Sequence, residues 1–207
     1  MKIIIPALAA TLAITTANPA AAQTQGFHVE ATTGYDVLTS KDNLTGPADV
    51  IPDTLKGLRL GISGGYDIAI APRIVVGLEA GIGATVTGDA VSRFAGNTLT
   101  LGAGRDLDVG VRVGFAVGPR TLVYGKVGYA NSRSNAELRE PLGSSFETTK
   151  YAGNGSGVRW GGGIEQVIGS RKFVKVEYRQ TRYNDGSIEY QQRTRRHQIL
   201  LGFGTRF

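Results

Sequence analysis

Over eight separate stretches of the chain, every second residue is apolar or small. Phe27, Val29, Ala31, Thr33, Tyr35 and Val37 alternate with His28, Glu30, Thr32, Gly34 and Asp36. Leu58, Leu60, Ile62, Gly64 and Tyr66 alternate with Arg59, Gly61, Ser63, Gly65 and Asp67. The pattern returns from Val76 to Ile82, from Leu107 to Val117, from Val123 to Tyr129, from Val158 to Ile164 and from Val174 to Tyr178. It ends with Ile199, Leu201, Phe203 and Thr205, and an aromatic, Phe207, closes the chain. Period two is the signature of a strand with one apolar face. The longer stripes, such as Phe27–Val37 and Leu107–Val117, reach the roughly 9–11 residues that a tilted strand needs to cross a bilayer.

The links between stretches alternate in length. Short ones fall at Ala69–Arg73, Gly118–Arg120 and Ile168–Arg171, each with Pro or Gly. Long polar ones are expected near Thr39–Leu55, Thr85–Gly104, Asn131–Ser156 and Asn184–Gln192. Short turns on one side and long loops on the other mark a transmembrane barrel. The predicted fold is therefore an all-β, eight-stranded antiparallel up-and-down barrel.

The polar face carries Glu30, Asp36, Asp67, Glu79, Asp106, Asp108, Glu165 and Glu177 against Arg59, Arg112, Lys126, Arg159, Lys175, Arg179, Arg196 and Arg206. Eight acids against eight bases suit a narrow lumen, where a buried charge is costly unless paired. Gly, 30 of 207 residues, leaves room there for long side chains. Counting inward from the strand ends puts Glu79, Arg112, Lys126 and Glu177 at similar heights. With Arg59, Arg159, Glu165 and Arg179 they form the expected ionic cluster.

A barrel has no edges, so its last strand must pair with its first along its length. That requirement explains a strand running to Phe207, which the periplasmic aromatic girdle would hold. The alternation through Phe203, Thr205 and Phe207 resembles the C-terminal signature that the bacterial barrel-assembly machinery reads. The segments GYDIA, YGKVGYA, VRWGGGIEQ and VKVEYR resemble those of small barrels of the opacity-porin and OmpX/OmpA type. The resemblance spans residues 23–207 and implies architecture more than role. It departs from the full OmpA plan, with no peptidoglycan-binding domain expected after Phe207.

MKIIIPALAATLAITTANPAAAQ reads as a secretory leader: Lys2, an apolar run from Ile3 to Ile14, and Ala20-Ala21-Ala22 as the cleavage site. Residues 1–22 are expected to be removed, leaving a barrel domain over 23–207 in the bacterial outer membrane. The chain has no Cys and two His. Neither His28-Val29-Glu30 nor His197-Gln198-Ile199 carries the nearly adjacent Ser-His pair of outer-membrane lipid A deacylases. An Asp-His protease site would need more strands and acids at the outer rim. Both His are therefore read as structural, with no catalysis, cofactor or metal expected. Gly153-Asn154-Gly155-Ser156-Gly157 lacks the Lys and the strand-to-helix context of a phosphate loop and is expected to be a flexible loop base.

Arg182, Arg193, Arg195, Arg196 and His197 cluster on either side of the last loop. Arg195 and His197 share the lipid-facing register, where lipopolysaccharide phosphates could meet an Arg fork; loose solvation of a hairpin tip is the alternative. The expected role is structural or surface-interacting, adhesin-like or for envelope integrity. Its partners are outer-membrane lipid, lipopolysaccharide, the assembly machinery and an unidentified extracellular ligand, with no nucleic acid and a monomeric state. A small pore for ions or solutes is the alternative, and a lipid-modifying enzyme a third.

Overall fold

The computed structural model describes residues 24–41, 54–86, 90–94, 97–142, 145–184 and 193–207. The expected leader lies outside them. The described residues form nine strands: β1 (Gly26–Lys41), β2 (Thr54–Ala71), β3 (Ile74–Thr85), β4 (Ala90–Phe94), β5 (Asn97–Ala116), β6 (Thr121–Leu142), β7 (Ser145–Ile168), β8 (Lys172–Asn184) and β9 (Arg193–Arg206). Eight of them close a wholly antiparallel ring. β1 pairs with β2 and with β9, and the β3–β5 ladder closes the circuit on the far side. β4 stands outside the ring and pairs with β5, from Ala90↔Leu101 to Phe94↔Asn97.

The seam joins the two ends of the chain. His28 faces Arg206 and Lys41 faces Arg193, so β9 is paired along its length. The Phe207 N–H donates to the Phe27 carbonyl at 2.8 Å, and the two rings sit 6.0 Å apart. Gly26 makes this approach possible: φ is +106°, and a Cβ there would strike the Phe207 carbonyl oxygen.

The faces are inverted relative to a water-soluble barrel. Ile62, Leu78, Val109, Ile164, Val176 and Leu201 lie on the outer wall and are exposed, whereas the arginines, lysines and acids are turned inside. Exposure of a continuous apolar belt is the stable arrangement when the solvent is hydrocarbon. Aromatics mark its borders: Phe27, Tyr66, Phe115 and Phe207 toward the short-turn end, and Tyr35, Tyr129, Trp160 and Tyr178 toward the long-loop end.

Beyond the belt the structure differs from the sequence reading. Asn131–Ser156, expected as a long loop, is for the most part a paired hairpin, with Asn131↔Ser156 at its base and Leu142↔Ser145 at its top. Gly153 to Gly157, expected to be a flexible loop base, lies within β7. Thr85–Gly104 likewise holds β4 and the outer part of β5. Above the membrane both faces of a sheet are wet, so no apolar stripe announces these strands. The other two long links fall largely outside the described residues.

Candidate functional site

The lumen is built by strand parity. Once Phe27, Leu58, Val109 and their like face hydrocarbon, the alternate positions must point inward. All sixteen charged residues of the polar face do so: fourteen are buried, and the Asp108 and Lys126 side chains are only 6% and 7% exposed.

They pair in tiers. At the short-turn mouth, Arg206 donates to Asp67 at 2.7 Å and to Glu165 at 2.5 Å. Arg112 grips both oxygens of Asp67, with Nε to Oδ1 at 2.8 Å, and reaches Glu165 at 3.4 Å. In the middle, Lys126 lies 2.7 Å from Glu79 and 3.0 Å from Glu177. Lys175 bridges Glu30 at 2.5 Å and Glu177 at 3.1 Å, and Arg179 is bound to Glu177. Toward the outer mouth, Arg159 meets Asp106 at 2.7 Å and Asp108 at 2.8 Å, and Arg59 meets Asp106 at 3.3 Å. Arg196 clasps Asp36 and donates to Ser132 at 2.9 Å.

Lys126 thus joins Glu79 to Glu177, and Arg112 approaches Glu79 at 3.7 Å. Of the remaining expected members, Arg179 sits in the middle tier with Glu177, and Arg59, Arg159 and Glu165 sit in the tiers on either side. Glycines make the space. A Cβ on Gly83 would stand 2.5 Å from the Arg59 guanidinium carbon, and one on Gly202 would stand 2.7 Å from Lys175 Cγ. Between Glu79, Asp108, Arg112, Lys126 and Arg159 the remaining space is about 10 Å³, room for about one water.

Further residues complete the lumen; His28 and Tyr124 follow the polar register, but the inward apolar group escaped the sequence reading. His28 lies fully buried between Asp67 at 3.4 Å and Glu79 at 3.9 Å. The Tyr124 hydroxyl donates to Glu177 at 2.5 Å. At the short-turn end Val75, Ala116, Leu122, Val167 and Phe173 face inward and are buried, and the Phe173 ring stacks on Arg206 at 5.1 Å. This apolar seal sits at strand ends, where alternation is too short to reveal parity. The Arg206 guanidinium also donates to the Thr24 carbonyl at 2.6 Å, tying the chain's first described turn across the mouth.

On the outer wall, Arg182 and Arg195 are directly opposed on β8 and β9, both exposed. His197, half-buried, shares a 2.7 Å hydrogen bond with the Tyr178 hydroxyl, and Trp160 packs edge-on against Tyr178 at 6.3 Å. Arg195 stands about eleven residues from the lower end of β9, roughly 27 Å in height at the usual tilt. That places the arginine pair just past the apolar band, which is about 25 Å tall in such barrels. Arg193 is paired with Asn184 in the backbone ladder, and its side chain is outside the described set. Phe203 and Phe207 face outward and are exposed, and Thr205 between them is half-buried.

Comparisons with known proteins agree with this architecture. Two solved barrels cover 88% of the chain. One is Ail, the attachment invasion locus protein of Yersinia pestis, at 12% identity, a TM-score of 0.50 and 99% of its own length. The other is Neisserial surface protein A, at 15% identity, a TM-score of 0.53 and 97% of its length. At such identities the likeness speaks for the fold alone. A search of curated proteins gives no match. The family model for the outer membrane protein beta-barrel domain matches residues 7–207. The chain, with its closed ring, apolar belt and charged interior, belongs to that family and is a protein of the bacterial outer membrane.

Proposed function

We propose that the protein is a non-catalytic surface barrel whose extracellular sheet engages a ligand outside the cell, in an adhesin-like or envelope-supporting role. One observation carries this reading. The outer parts of β5, β6 and β7, with β4 at their side, extend past the ring as a sheet whose β7 edge is open among the described residues. The β7–β8 ladder begins only at Gly157↔Tyr183, so among the described residues Ser145–Ser156 pairs with β6 on one side alone. From Asn131 to Leu142 the hairpin runs roughly 40 Å along the strand. Unpaired N–H and C=O groups on such an edge are a template for an extended segment of a partner.

The barrel below would act as a monomeric anchor. Arg182 and Arg195 would receive lipopolysaccharide phosphates through their forks, with His197 on the same face and Arg193 one step above. Phe203, Thr205 and Phe207 would present the terminal signal to the assembly machinery. His28 is held among lumen carboxylates and His197 by Tyr178, which supports structural roles for both. The alternative, a small pore, has to contend with tiers of ion pairs across the bore.

The test displays the full chain on a non-adherent bacterium and measures attachment to cultured epithelial cells. Removing residues 136–151, the upper hairpin, should abolish attachment while heat-modifiable gel mobility remains that of a folded barrel. Undiminished attachment would overturn the proposal.

A further inference from the structure

The three short turns share a pattern that the lumen and the outer rim do not explain. Ala71-Pro72-Arg73, Gly118-Pro119-Arg120 and Gly169-Ser170-Arg171 each place a small residue, then Pro or Ser, then Arg. Each turn is fixed to the next hairpin in the same way. The Arg73 carbonyl accepts from Ala116 N–H at 2.8 Å, Arg120 from Val167 at 2.7 Å and Arg171 from Arg206 at 2.8 Å. The bond uses the backbone, and none of the three guanidinium groups has a partner among the described residues; all three side chains are exposed, as is the adjacent Lys172. These turns carry no acid.

We propose that Arg73, Arg120 and Arg171 form a ring that binds the phosphate headgroups of anionic phospholipids in the periplasmic leaflet. Short turns of such barrels lie on the periplasmic side. Each arginine stands within three residues of a lipid-facing apolar side chain: Ile74, Val117 and Ile168. The headgroup region adds only about 5–7 Å beyond the hydrocarbon on each side, so a turn this short keeps its guanidinium at phosphate depth. The pattern serves a lipid better than a periplasmic polymer, which would need a longer reach. Cations with no acid beside them favour net-negative headgroups over zwitterionic ones, and a planar fork can take two phosphate oxygens at once.

The experiment reconstitutes the folded full chain in vesicles holding photoactivatable phosphatidylglycerol or, in parallel, photoactivatable phosphatidylethanolamine, each with its reactive group near the headgroup. Crosslinked peptides are mapped by mass spectrometry. The expected result is crosslinking at residues 72–74, 118–121 and 169–172, with phosphatidylglycerol favoured on the order of fivefold at each arginine. In R73Q/R120Q/R171Q the ratio at the turns should fall to near one. If that variant does not fold, the three single Arg→Gln variants are read at their own turns, and the wild type must lose its preference in high salt. Equal yields of the two lipids at the wild-type turns would overturn the ring. So would crosslinks confined to the outer rim near Arg182 and Arg195, or sedimentation of the protein with purified peptidoglycan through these arginines in place of a lipid preference.

Discussion

Glu79 shows why single charges matter in this lumen. It meets Lys126 at 2.7 Å, Arg112 and Arg179 at 3.7 Å and Lys175 at 3.8 Å. Removing it leaves several cations short of a partner, and an unpaired buried charge costs about 3–5 kcal/mol, less where water reaches it. Glu79→Ala and Arg112→Ala should therefore lower the urea midpoint of the barrel in lipid. Lys150→Ala, which breaks the exposed pair with Glu137, should leave it unchanged, because surface pairs contribute little. Equal midpoints for all three would contradict the tiered lattice. Parity alone placed Glu79 and the other fifteen charges inside, since alternation is unambiguous where one face meets hydrocarbon. Leu122 and Phe173 were not legible in that way: each is an inward apolar residue beside an outward one, and two neighbouring apolar positions carry no parity.

Among strands, β9 has the most to lose from a local change. Its ladder to β1 is the closure, and Phe207 finishes it with a backbone bond and a ring contact to Phe27. Phe207→Asp puts a charge at the periplasmic border of the apolar belt and removes the girdle aromatic. Outer-membrane levels of this variant should fall well below those of a comparable charge change at Lys150, on the outer hairpin. Immunoblots of membrane fractions, with heat-modifiable mobility as the measure of folding, give the comparison. Normal levels would sink the idea. β6 and β7 teach the opposite lesson about sequence. Their membrane halves were legible from Val123, Val127, Val158 and Trp160. Their outer halves, such as Ser134 to Glu140, were not, because a sheet wet on both faces has no reason to alternate.

The assembled barrel makes two further expectations. Purified protein should begin at Gln23, and its intact mass should lack Met1–Ala22; retention of the leader would refute the reading of Ala20-Ala21-Ala22. In planar bilayers the wild type should show no sustained open level, given ion pairs from Arg206 to Arg196 and an apolar seal at the short-turn mouth. Glu79→Ala and Arg112→Ala should raise the frequency of brief openings. A steady conductance in the wild type would favour the pore.

Apolar alternation separates registers that differ by one residue, since such a slip turns a whole strand inside out. It cannot separate registers that differ by two, which keep every face correct. The lumen can. Asp36 and Arg196 are 160 positions apart, and Asp67 and Arg206 are 139 apart, so these partners meet only when the two ends of the chain close on one alignment. A two-residue slip of β9 would draw Arg196 and Arg206 off their carboxylates while leaving the lipid face intact. The charge lattice therefore acts as a lock with one key position, which lets a wall of nearly interchangeable Val, Ile and Leu close in a single way.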